Sequence, residues 1–444
     1  MSPWYRRVFL LAVPLILSNL TQPLLSTVDT VLSGHLPGAA ALGGVAMGGI
    51  FFNGIFWTFG FLRMATTGLV AQAHGAQNQH SIRLHFWRGM LSAAALGALV
   101  VVLRGPLIAG SLSLLGASAA VRQNALVYCN IRIWSAPAAL ANYVVLGFLL
   151  GRQHARMALA LQAAVNVVNV AVALVLVIHL HWAVAGIAAA TFSADWAGLI
   201  VGLILIRVVW PRGAHMRTTW RDIADGPSWR HLFALNRDLL LRTISLVAAY
   251  AWFTRTGARA GDATLAANAV LLNLHWIATY ALDGFANATE ALVGEAVGAR
   301  RGEDYRAVLK ASTVSAGAVA AALSLLFVFA GSTLVGLFTN QAAVRAVALR
   351  YLPWAMALPL VSVWGYQMDG VFIGATRARE LRDSMVIAFL GYLILAVALG
   401  RVMGNHGLWC AFCCFMILRG SLLAARLPRI ERAYFVPAAV PESA

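Results

Sequence analysis

The sequence predicts an all-α integral membrane protein of twelve transmembrane helices, built as two pseudo-symmetric six-helix lobes. Three observations carry that prediction. Apolar runs of bilayer length recur from Phe9 to Leu427, and basic residues collect in the short breaks between alternate runs. One offset of about 223 residues lays the second half of the chain over the first.

The first observation is compositional. Of 444 residues, 61% are hydrophobic and 11% charged, with a mean hydropathy of +0.77. A soluble domain carries roughly 25% charged residues, so most of this surface does not face water. A net charge of +17 raises the question of nucleic acid. However, the basic residues form no stripe interleaved with aromatics and fall where the positive-inside rule expects them. Nucleic-acid binding is therefore set aside. Cys129 stands alone, and Cys410, Cys413 and Cys414 lie inside the last apolar run with no second ligand pair, so neither a disulfide framework nor a metal site is expected. The first run carries Asp29 and leads into further runs, unlike a cleavable signal.

The elements follow in order. The first six runs span about 8–33, 40–73, 81–109, 122–150, 157–180 and 182–208. Six more fall near 231–256, 263–297, 305–338, 342–374, 381–403 and 405–427. A span needs about 20 apolar residues, and the longer runs imply tilting. The domains expected are an N-lobe at 1–208, a cytoplasmic linker at 209–230, a C-lobe at 231–432 and a tail at 433–444. Breaks holding Arg83 and Arg88, Arg152 and Arg156, Arg300 and Arg301, and Arg377 and Arg379 are assigned to the cytoplasm. An even number of spans then places both termini there.

The repeat is visible as 42-LGGVAMGG-49 over 265-LAANAVLL-272 and 69-LVAQAHGAQ-77 over 292-LVGEAVGAR-300. The same offset pairs Gly75 with Gly298, Tyr128 with Tyr351, Gly151 with Gly374, and Arg156 with Arg379. Six spans per copy is an even number, so the copies share one orientation, which is a transporter architecture.

Charge inside the runs is the functional signal, because an ionised group at mid-bilayer costs about 2.5–3.5 kcal/mol even on lenient scales. Asp29, Asp195, Asp283 and Asp369 stand out, with Glu290 and Glu295 beside them. Asp29 is the sharpest, since Pro14 and Pro23 precede it in the same run and proline permits a bend. A carboxyl in a low-dielectric surrounding holds its proton more readily than one in water. Asn166 and Asn169 share a helix face, as do Thr191 and Asp195; interhelical hydrogen bonding is the plain alternative for such groups. For Arg63, Arg132 and Arg242 three readings stay open: pairing with the acids, lining a wet cavity, or reaching the interface on long stems. Phe51, Phe56, Trp57, Phe253 and Met385 offer adaptable apolar contacts, with ordinary packing as the alternative.

These residues together resemble the multidrug and toxic compound extrusion (MATE) transporters, and within them the DinF-like branch. The resemblance rests on 13-VPLILSNLTQPLLSTVDTVLSGHL-36, 61-FLRMATTGLVAQAHGA-76 and 131-IRIWSAPAALANYVVLGFLLGRQHARMAL-159. In the second half it rests on 282-LDGFANATEALVGEAVGARR-301 and 368-MDGVFIGATRARELRDS-384. It implies a V-shaped, monomeric exporter of the inner (cytoplasmic) membrane, which expels amphipathic, cationic compounds in exchange for H⁺ and needs no cofactor. Sodium coupling and a lipid-linked precursor flippase are the alternatives, and no enzymatic motif appears.

The resemblance further implies a coupling site at Asp29, Asn169 and Thr191, with Asp195 as partner and Pro14 as the helix bend. Some relatives carry a second acid on the fifth helix, where this chain has Ala173, and that departure favours protons over sodium. Asp369 matches an acidic position of sodium-coupled relatives, but 243-TISLVAAYAWFTRTGA-258 supplies no acidic partner. Asp283, Glu290 and Asp369 are therefore expected to form a C-lobe polar site or line its cavity. The repeat puts no acid opposite Asp29.

Overall fold

The computed structural model describes residues 3–36, 38–116, 118–210 and 218–435, with residues 22–26 described in their backbone only. The expected tail from 436 onward, and the linker segment 211–217 with Arg212 and Arg217, lie outside the described residues.

Helix follows helix throughout. The first copy runs α1 (Pro3–Gly34), α2 (Ala39–Thr58), α3 (Phe61–Gly75), α4 (Gln79–Val102), α5 (Arg104–Leu115), α6 (Ala119–Arg132), α7 (Ala136–Gly151), α8 (Ala155–Leu174) and α9 (Ala183–Val209). A short α10 (Trp220–Ile223) leads into the second copy: α11 (Gly226–Arg259), α12 (Asp262–Gly298), α13 (Gly302–Phe338), α14 (Ala342–Gly374), α15 (Ala378–Met403), α16 (Asn405–Ala424) and α17 (Leu427–Tyr434).

Ten helical stretches among the described residues are long and apolar enough to cross a membrane. In several, two helices join end to end: α2 with α3, and α6 with α7 through a 3₁₀ turn at Ile133–Ser135. Helices α1 and α11, the first of each copy, have 32 and 34 residues and complete the expected twelve. Polar residues in the first half of α11, from Arg230 to Arg242, dilute its apolar character.

The helices divide into two compact units. One comprises Leu17–Val70 and Asn78–His231; the other comprises Met1–Ile16, Ala71–Gln77 and Leu232–Ala444. This division differs from a cut at residue 208, because the start of α1 and the end of α3 group with the second copy. The cause is local packing. Val8, Leu11, Ala12 and Leu15, at helical spacing, form a buried stripe. Alongside it, Phe9 meets Phe285 edge-on at 5.6 Å, Arg7 pairs with Glu295 at 2.6 Å, and Ile16 lies against Gly284. Pro14 sits within α1, two residues before this grouping ends.

The repeat is written into the backbone. A Cβ on Gly147 would lie 2.7 Å from the Arg63 carbonyl oxygen, and one on Gly370 would lie 2.4 Å from that of Ala286. Gly151 approaches the Thr67 carbonyl as Gly374 approaches that of Glu290. Each pair is related by the same 223 residues. The end of α3 then meets the end of α12 reciprocally: Gly75 sits on the Glu295 carbonyl and Gly298 on that of Gln72. Two helices approach this closely only where glycine removes the side chain, the close-packing device of membrane bundles.

Candidate functional site

In the first-copy unit, the predicted coupling residues lie on α1, α8 and α9. Asp29, on the second half of α1, is 7% exposed, and its Oδ1 has no hydrogen-bond partner among the described residues. Asn169 on α8 is fully buried and donates from Nδ2 to the Thr191 hydroxyl of α9 at 3.1 Å. That hydroxyl in turn donates to the Ile187 carbonyl, a turn earlier in the same helix. The Asn169 Oδ1 is also buried without a partner. Asn166, one turn before, reaches the Thr21 carbonyl of α1 instead, so the two amides of one face serve different neighbours. No hydrogen bond joins Asp29 to the Asn169–Thr191 pair among the described residues.

Asp195 lies one turn beyond Thr191 on α9; its Oδ2 is buried without a partner, and its backbone carbonyl accepts from Asn142 at 2.8 Å. Ala173, at the position where some relatives carry an acid, is fully buried.

A further half-buried charge of this copy is Arg132, at the end of α6. Its guanidinium lies 4.7 Å from the centroid of Phe52, 5.6 Å from that of Tyr128 and 5.9 Å from that of Phe56. One Nη1–H donates to the Tyr128 hydroxyl at 2.7 Å. Asp29 and Asp195 are the two carboxylates within its electrostatic reach. Among the described residues Arg132 makes no ion pair with either acid, and cation–π contact with three rings supplies its seat. The sequence signal available was local: Tyr128 and Arg132 are four apart on one helix face.

The second copy is built differently. Asp369 on α14 accepts hydrogen bonds at Oδ2 from two buried arginines, Arg242 of α11 and Arg419 of α16. The Arg419 guanidinium also lies 5.0 Å over the Tyr366 ring. Asp369 therefore already holds two cations. Asp283, half-buried on α12, is within electrostatic reach of Arg419, Tyr250 and Tyr366. Glu290, two turns further along α12, is 1% exposed.

Where the first copy has Asn169 and Thr191, the second has Tyr392 and Cys413, both in an apolar core with Phe253, Trp409 and Phe412. Phe253 and Met385 are accordingly core residues, 0% and 1% exposed. No group of three or more His, Cys, Asp or Glu residues arranged to hold a metal occurs among the described residues.

A helical membrane protein with internal duplication and buried ionisable groups belongs to the class of secondary transporters. The MatE family model matches residues 14–175 and 240–402, one match in each copy. The chain is 43% identical to DNA damage-inducible protein F of Escherichia coli (strain K12), over 94% of this chain and 90% of that protein. It is 24% identical to a probable multidrug resistance protein NorM of Acinetobacter baylyi, over 96% of both. Among solved structures, it superposes on an outward-facing multidrug resistance MATE family transporter of the MOP superfamily with a TM-score of 0.87. That match has 18% identity and covers 98% of this chain and 97% of the other. The chain belongs to the MatE family, whose members are transporters and not enzymes.

Proposed function

We propose that this protein is an efflux antiporter of the cytoplasmic membrane that exports amphipathic organic cations in exchange for protons. Asp29 is the coupling group, and the protein works as a monomer with both termini in the cytoplasm. The repeat units of the cycle are the lobes 1–208 and 231–432, joined by the linker. The observation that carries the reading is a carboxylate buried in a membrane helix with one oxygen left without a partner. An ionised group so placed is costly. Binding a proton, or a cationic substrate, removes that cost. Each state of Asp29 therefore favours a different conformation, and such differential stability is what a transport cycle requires.

Asn169 and Thr191 hold α8 and α9 together, and Pro14 gives α1 a missing backbone donor where a bend is least costly. The export of drugs is drawn from relatives such as the probable multidrug resistance protein NorM of Acinetobacter baylyi. Two arginines suited to a lipid phosphate, Arg242 and Arg419, both donate to Asp369, which favours efflux over a flippase.

Efflux of a fluorescent organic cation from proteoliposomes tests the coupling. A pH gradient should drive efflux by the wild type and not by Asp29→Asn, with equal amounts of both proteins in the membrane. Robust pH-driven efflux by the variant refutes the role of Asp29. Sodium coupling, the second reading, draws on the unpartnered oxygens of Asp29, Asp195 and Asn169. It predicts efflux under a sodium gradient at matched pH.

A further inference from the structure

We propose that Gln72 and Glu295, one position in the two copies, latch the copies together at the cytoplasmic ends of α3 and α12. Their bonds set how readily the protein opens to that side. The inference does not depend on the coupling role of Asp29 and takes only the orientation of the chain from the proposed function.

Gln72 and Glu295 lie 223 residues apart, the offset of the repeat. The backbone brings them to one crossing, where Gly75 sits on the Glu295 carbonyl and Gly298 on that of Gln72. Each side chain then leaves its own copy. The Gln72 Nε2–H group donates to the Gly374 carbonyl at 2.9 Å and to the Thr376 hydroxyl at 3.0 Å, both at the end of α14. Carbonyls in the last turn of a helix have no intrahelical partner, so the first copy lends the second a cap. Glu295 accepts at Oε2 from Arg7 of α1 at 2.6 Å. By strict symmetry Glu295 would reach the end of α7 at Gly151. A carboxylate only accepts and cannot serve a carbonyl, so it takes an arginine of the first copy instead. These are also the segments, the start of α1 and the end of α3, that group with the second copy.

Packing alone accounts for the glycines. It does not account for two equivalent side chains of different chemistry that each find a partner in the opposite copy. Nor are these bonds built as permanent supports, since the Arg7 and Glu295 side chains are 38% and 24% exposed. Such a pair adds little to stability, because water replaces the partners when they separate. That weakness suits a latch. A contact made in one state only biases the equilibrium by its own free energy, which for a pair this exposed is roughly two- to fivefold in the ratio of states.

Hydrogen exchange of the full-length protein in detergent reads the latch without substrate or gradient. Glu295→Gln should melt close to wild type yet raise exchange both in 3–14, around its own partner, and in 370–376, around the partner of Gln72. Gln72→Ala, which removes no charge, should likewise raise exchange in 3–14. A merely local bond would move only the segments it touches. Arg7→Glu combined with Glu295→Arg should return exchange towards wild type. In everted vesicles given ethidium, Glu295→Gln should lower KM by about two- to fivefold without raising the maximal rate, because apparent affinity follows the fraction open to that side. A structural bond would instead lower the rate and leave KM unchanged. Exchange confined to the segments each bond touches overturns the proposal, as does a charge swap that fails to restore it. Failure of Glu295→Gln to fold also overturns it, since the pair would then be a support. Absence of ethidium uptake by wild type counts against the export reading, and the exchange result still decides the latch.

Discussion

Replacing Asp369 by Asn should destabilise the second-copy unit more than replacing either of its arginines. One carboxylate oxygen of Asp369 accepts from Arg242 and Arg419, whose side chains are 8% and 1% exposed. Asp369→Asn leaves both guanidinium groups buried against a neutral amide. Removing one partner of a buried ion pair costs about 3–5 kcal/mol, and Asp283, within reach of Arg419, offsets part of that. Arg419→Gln instead leaves Asp369 paired one-to-one with Arg242. That change removes one charge-assisted hydrogen bond, worth about 1.5–3 kcal/mol, and leaves Asp369 with a cation. At about 2–4 °C per kcal/mol for a unit of this size, Asp369→Asn should melt roughly 6–20 °C below wild type. The same conversion gives Arg419→Gln a drop of roughly 3–12 °C. Thermal melting of purified protein, followed by size-exclusion chromatography with fluorescence detection, measures both. Equal melting of Asp369→Asn and wild type, or a larger loss in Arg419→Gln, refutes the reasoning. The first of those outcomes combined with lost transport would make Asp369 a substrate or ion ligand instead.

Two further outcomes follow from packing and from the linker. Gly75→Val and Gly298→Val should each prevent recovery of folded protein, because the added Cβ would lie 2.0 Å and 1.9 Å from the facing carbonyl oxygens. Gly49→Ala, with nothing within 4 Å, should chromatograph as wild type. In the linker, the Thr219 N–H and hydroxyl hold the Asp222 carboxyl below the usual carboxylate range, as Ser228 does for Asp225. Groups with depressed values stabilise the fold above the ordinary carboxylate range, about pH 4, and lose that contribution as pH falls through their lowered values. Amide exchange over 219–231, corrected for its intrinsic pH dependence, should stay flat from pH 7 to 5 and rise below about pH 4. A rise that begins near neutrality counts against this capping role.

The fold was legible because bilayer spans and repeats are written locally. Gly75 and Gly298 could be paired from sequence, and the structure puts each on the other's partner strand of backbone. Asp29 and the Asn169–Thr191 pair stood out because a polar group in an apolar run is conspicuous by itself. What stayed hidden was partnership. Asp369 finds its arginines 127 and 50 residues away, and no spacing rule links α11, α14 and α16. Arg132 showed only that it was unusual, since its three open readings differ in which side chains surround it. The grouping of residues 71–77 with the second copy was equally invisible, because it depends on reciprocal packing and not on hydropathy.

The two copies share their close backbone contacts and differ in their charges, and that contrast separates scaffold from chemistry. Gly147 and Gly151 of the first copy and Gly370 and Gly374 of the second make the same approaches, so the constraint on those positions is steric and applies to both. The polar positions obey no such rule. Asn169 and Thr191 give way to Tyr392 and Cys413, and the space they would leave is closed by Phe253, Trp409 and Phe412. The second copy places its charge elsewhere, on α11, α14 and α16, in a triad already crowded with cations. A cation entering there would meet two guanidinium groups before any free carboxylate, whereas in the first copy it would meet two carboxylates for one. That difference in charge is what the coupling role proposed for Asp29 draws on. The duplicated frame lets each copy carry its own set of buried polar groups on a shared scaffold.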